Sequence, residues 1–68
     1  MTELSKIENE QLSNLIGDVE NSFGDDAEAE GFVCGYDDKS IEVTFEFADG
    51  GEDYNITVDR KTMEIIKE

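Results

Sequence analysis

Histidine is missing from this 68-residue chain, and Lys and Arg together number only five. Without imidazole there is no ready base near neutral pH and no histidine metal ligand. Cysteine occurs once, at Cys34, which excludes an internal disulfide and suggests a reducing compartment. A lone thiol without a histidine also lacks the usual means of activating a nucleophile. Cys34 alternates with Phe32 and Tyr36 and reads as a small core residue of a strand. Gly50-Gly51 lies between two strand patterns with no helix following, so no phosphate-binding loop is present. There is no long apolar run, and Met1-Thr2-Glu3 is polar and acidic, without the core of a signal peptide. These absences point to a soluble, cytoplasmic, single domain over 1–68, with no catalytic residue, no cofactor and no membrane partner.

Acid is what the chain has in excess. Asp and Glu number 19, and the net charge is −14. Residues 1–24 carry about −4, residues 25–38 about −6, residues 39–58 about −4, and residues 59–68 balance to zero. Such a charge with 37% hydrophobic residues approaches the composition of disordered chains. The apolar residues are periodic, however, and this favours a folded domain.

Residues 3–23 are predicted to form one helix. Leu12, Leu15, Ile16, Val19 and Phe23 follow helical spacing, with Leu4 near the same stripe. Ser5-Lys6-Ile7-Glu8 fits a capping box, which explains an acid on the apolar side; the helix starts at Thr2 or Ser5. Gly24 is a left-handed stop. Strands are expected over 31–36, 40–48, 53–59 and 63–67. Phe32, Cys34 and Tyr36 would face the core, as would Ile41, Val43, Phe45 and Phe47, then Tyr54, Ile56 and Val58. For the central hairpin, a loop at Asp49-Gly50 pairs Phe45 with Tyr54, whereas a loop at Gly50-Gly51 pairs Phe47 with Tyr54. The second avoids placing Glu46 opposite Asp53 and is preferred on charge. The expected fold is α+β, one N-terminal helix packed on a four-stranded antiparallel meander, with one sheet face in water.

Carboxylates in the 25–30 loop and at Asp37-Asp38 offer oxygen ligands, but they lack the spacing of a calcium loop, so a solvated acidic surface is expected. Charge this dense opposes folding, and solubility alone needs a net charge of only about 2–8 in magnitude. Carboxylates at i and i+2 on a strand lie about 6.5–7 Å apart, and at i and i+4 on a helix about 6 Å. Phosphates along a nucleic-acid strand have similar spacing, so such a surface would bind proteins with Lys/Arg-lined grooves. Asp25, Asp26, Glu28 and Glu30, with Asp37, Asp38, Glu42 and Glu46, are the candidate partner contacts.

In size, charge and lack of catalytic chemistry the whole chain resembles the small acidic inhibitors of bacteriophages and mobile elements, among them DNA-mimic anti-restriction and anti-CRISPR proteins. That resemblance implies a partner that is a basic nucleic-acid-binding protein of the host cytoplasm, with no direct contact to nucleic acid. Tyr54, Ile56, Val58, Asp59, Thr62, Glu64 and Ile65 also resemble the closing segment of a PepSY domain, with Met63 in place of its glycine. This alternative implies a protein-interaction module. Halophilic adaptation is a third reading, disfavoured by the choice of Lys over Arg.

Overall fold

The computed structural model describes residues 3–24 and 28–68. The chain forms helix α1 (Lys6–Ser22) and strands β1 (Ala29–Tyr36), β2 (Ser40–Phe47), β3 (Tyr54–Asp59) and β4 (Ile65–Lys67). The strands make one antiparallel sheet in the order β1-β2-β3-β4, and α1 lies on one face of it. The expected α+β meander is what the chain adopts.

Local chemistry sets the helix ends. Ser5 is the N-cap: its hydroxyl accepts the Glu8 N–H at 3.1 Å, while the Glu8 carboxylate accepts the Ser5 N–H at 2.9 Å. Two unpaired donors of the first turn are thereby satisfied. At the other end the chain passes through Phe23 to Gly24, whose φ of 90° suits a residue without a side chain.

The core is Leu12 of α1 with Ile41, Val43 and Phe45 of β2 and Ile56 and Val58 of β3. Leu4, Leu15, Ile16, Val19 and Phe23 pack around it from the helical side, and Val33, Tyr36, Tyr54 and Met63 from the sheet. Removing each of the six core side chains from water contributes about 1.5–3 kcal/mol, and each partly buried one less. Phe23 meets Phe45, Phe47 and Tyr54 edge-on, at centroid distances of 5.7, 5.1 and 5.4 Å.

Three strand details differ from the expectation. The first is β1, which starts at Ala29 and faces the other way over most of its length. Gly31 and Val33 face the helix, while Phe32 and Cys34 are exposed on the open face. A Cβ on Gly31 would come within 2.5 Å of Phe45 Cε1 and 2.7 Å of Ile16 Cγ2, so only glycine admits the helix there. A bulge between Val33 and Gly35 then resets the alternation and returns Tyr36 to the inner face. Cys34 is therefore not a core residue.

The second is the hairpin register. β2 and β3 pair Phe45 with Tyr54 and Thr44 with Asn55, the register disfavoured on charge. The turn explains why: Gly50, at φ 84°, donates its N–H to the Phe47 carbonyl at 3.1 Å, and Asp49 Oδ1 accepts the Gly51 N–H at 2.9 Å. The ladder stops at Tyr54, so Glu46 and Asp53 never become a paired couple.

The third is β4, only three residues long. Met63 belongs to the turn before it, at φ 59°, with its N–H bonded to the Asp59 carbonyl at 2.7 Å.

Candidate functional site

Two turns and the helix start meet around one guanidinium. Asp37 Oδ1 accepts the Lys39 and Ser40 N–H groups, both at 2.8 Å, and Asp59 Oδ1 accepts those of Lys61 and Thr62 at 2.8 and 3.0 Å. The Lys39 and Ser40 amides hold the Asp37 carboxyl below its ordinary pKa, and those of Thr62 and Lys61 do the same for Asp59. Between these turns sits Arg60, only 9% exposed. Its Nε donates to Glu8 Oε2 at 2.7 Å and its Nη2 to Glu8 Oε1 at 3.2 Å. Nη1 donates to the Asp37 carbonyl at 2.9 Å and Nη2 to that of Glu3 at 3.0 Å, while the guanidinium lies 5.5 Å from the Tyr36 ring centre. The Arg60 bond, then the Ser5 amide, push the Glu8 pKa down to about 2. This centre holds the fold and leaves the open face free for other roles.

On that open face, strand alternation presents Glu30, Phe32 and Cys34 from β1, Glu42, Thr44 and Glu46 from β2, and Asn55 and Thr57 from β3. Thr44 donates its hydroxyl to Asn55 Oδ1 at 2.7 Å and touches Cys34 Sγ at 3.3 Å, a polar row across β1, β2 and β3. Glu30 stands directly opposite Glu46. Cross-strand partners lie about 5 Å apart, a spacing at which like charges repel. Among the described residues the single ion pair is Glu8–Arg60, so neither acid is neutralised by a salt bridge.

The candidate contacts fall into two groups. Glu28, Glu30 and Glu46, joined by Asp53, line a groove of about 430 Å³ at the end of the sheet next to the central hairpin. Asp37 and Glu42 border a second, smaller hollow of about 200 Å³ towards the other end. Asp38 is exposed beside it in the β1–β2 turn. Glu42 and Glu46 are four positions apart, about 13 Å along the strand with Thr44 between them, roughly twice the expected carboxylate spacing. Asp37 spends its carboxylate on its own turn. Asp25 and Asp26 lie outside the described residues. No three of the described acids or the thiol come close enough to share a metal ion.

Asp53 was not among the expected contacts; the hairpin register adopted is the one that sets it near Glu46, and it shares the groove with Glu28. Nor does any local pattern mark Arg60, whose partners are scattered from Glu3 to Asp37. No described helix is long and apolar enough to cross a membrane. Comparison with protein-family models, curated proteins and solved structures finds no match for this chain.

Proposed function

We propose that this chain is a non-enzymatic acidic binding protein that imitates nucleic-acid charge and occupies the basic site of a nucleic-acid-binding host protein, as an anti-restriction or anti-CRISPR type inhibitor does. One observation carries the reading: Glu30 and Glu46 oppose each other on an open sheet face, and among the described residues no cation forms a salt bridge with either. That pairing costs stability in a domain with little to spare, and a Lys/Arg-lined groove would relieve it on binding. Release of counterions from the acidic face would add a salt-dependent gain, as it does for nucleic acid.

The test is capture from a bacterial lysate with and without nuclease, followed by titration of the purified captured protein. Affinity is expected to fall steeply between about 50 and 500 mM salt and to be lost in competition with duplex DNA or RNA. The triple variant E30Q/E42Q/E46Q should bind more weakly, while Glu10→Gln on the helix should not. Salt-independent binding, or binding alongside nucleic acid, would sink the reading.

A second reading, a PepSY-like interaction module, is favoured by one position. Met63 holds the left-handed φ of 59° at the point where the resembling segment carries glycine. Such a module would associate with a peptidase or envelope protein and tolerate removal of charge at Asp25, Asp26, Glu28 and Glu30.

A further inference from the structure

The two edges of the sheet are protected unequally. β4 is three residues long and carries Lys67, which suits an edge that must not pair. β1, at the other edge, runs for eight residues. Its Gly31 N–H points away from β2 and is held by Glu20 Oε2 of α1 at 2.7 Å. Alternation then turns the N–H and C=O groups of Ala29, Gly31 and Val33 to the same free side, over about 13 Å of strand. Among the described residues, Glu20 is the side chain that bonds to any of these three amides.

This edge borders a groove of about 390 Å³ between α1 and β1, in which Ile16 and Val33 stand beside the polar side chains of Asn9, Ser13 and Glu20, over the buried Leu12. On the opposite face of the same strand stand Glu30 and the exposed ring of Phe32. A strand added here would therefore meet Ile16 and Val33, within a groove of mixed polarity, on one side and the Glu30 carboxylate on the other.

We propose that the free edge of β1 is a strand-docking site for an extended partner segment alternating apolar and basic residues, which joins the sheet as a fifth strand. Its apolar side chains enter the α1–β1 groove. Its basic side chains fall beside Glu30, which already faces Glu46 on the far side. A carbonyl of the incoming strand replaces the Glu20 carboxylate at the Gly31 N–H, exchanging one hydrogen bond for another while further backbone bonds form at Ala29 and Val33. The site is on the sheet edge and stands whether or not the open face imitates nucleic acid.

The test uses the isotope-labelled full chain and a blocked peptide Lys-Val-Lys-Val-Lys-Val. Residues opposite Gly31 and Val33 would be the valines, so a control peptide carries N-methyl groups on the valine amides. Binding of the first peptide at about 0.15 M salt should shift the amide signals of Ala29, Gly31 and Val33 and of α1 residues near Ile16. It should also slow hydrogen exchange at Gly31 and Val33. N-methylation should weaken binding about tenfold or more, since two or more backbone hydrogen bonds are lost. Equal binding of the methylated peptide would reduce the effect to charge attraction and overturn the proposal. Shifts centred on Glu42, Asn55 and Thr57, or no binding at that salt concentration, would overturn it as well.

Discussion

Arg60 and Glu8, 52 positions apart in sequence, share two hydrogen bonds of 2.7 and 3.2 Å. The carboxylate that closes the helical capping box is thus the one that receives the buried guanidinium. One acid among 19 closes the helical cap and receives the guanidinium as well, and it anchors α1 to the β1–β2 and β3–β4 turns, which lie side by side at the open end of the β2–β3 hairpin.

Replacing Arg60 should cost more than its position in a turn implies. Lysine offers one point charge and cannot reach Glu8 and the carbonyls of Glu3 and Asp37 together. The expected order of melting temperature is wild type, then Arg60→Lys, then Arg60→Met, with Lys61→Met close to wild type. An Arg60→Lys protein as stable as wild type would show that the carbonyl contacts contribute little.

The Glu8 pair also sets a pH dependence. The folded pKa is depressed to about 2 from 4.5, so the stabilisation is complete above the unfolded value and lost as pH falls from 4.5 towards 2. Protonating other acids relieves repulsion and acts in the opposite direction, so the useful quantity is the difference between wild type and Glu8→Gln. Denaturant midpoints should keep a constant gap near neutral pH, and the gap should close within that acid window. Asp37 and Asp59, lowered by turn amides, lose their contributions on the same acid side.

Gly31→Ala should destabilise by about 1–3 kcal/mol, the usual cost of overpacking. Phe45 is fully buried and has no room to retreat from a Cβ at 2.5 Å. Trimming the other neighbour, in the double variant Gly31→Ala with Ile16→Ala, should be less destabilising than the sum of the single changes. Chemical denaturation of the four proteins measures this coupling.

At Met63 the usual ranking of alanine over glycine should reverse. Both substitutions remove the same partly buried side chain, but only glycine relieves the left-handed backbone. Met63→Gly is expected to be more stable than Met63→Ala by about 1 kcal/mol. A more stable alanine variant would mean the turn relaxes to negative φ.

Cys34 should react with a thiol reagent in the native protein, without denaturant, though more slowly than an unhindered thiol, because its sulfur meets the Thr44 hydroxyl at 3.3 Å and the Glu42 carbonyl at 3.5 Å. Its exposure on the open face also makes Cys34→Ser nearly neutral, within about 0.5 kcal/mol. Protection of the thiol until unfolding would contradict the facing of β1.

Electrostatic strain is testable through salt. Glu46→Lys should raise the melting temperature in low salt, and the gain should shrink as the screening length falls to about 10 Å at 0.1 M. A gain that persists at high salt would point to packing instead of the Glu30–Glu46 repulsion.

Local patterns in the sequence determined the helix with its Ser5–Glu8 cap and Gly24 stop, the facing of β2 and β3, and the acidic character of the surface. Each depends on residues within a few positions of one another, where helical or strand periodicity speaks directly. The facing of β1 was not legible in that way. Gly31, Phe32, Val33 and Cys34 support either alternation until the helix demands a glycine beneath Ile16 and the bulge resets Tyr36. The hairpin register was likewise ambiguous, because two loops keep the same apolar face and turn hydrogen bonds at Asp49 and Gly50 outweigh a charge argument. Arg60 at the junction of helix and turns, Glu30 against Glu46, and an open β1 edge next to α1 were decided only by tertiary structure. They bring together groups far apart along the chain, and no local pattern records that proximity.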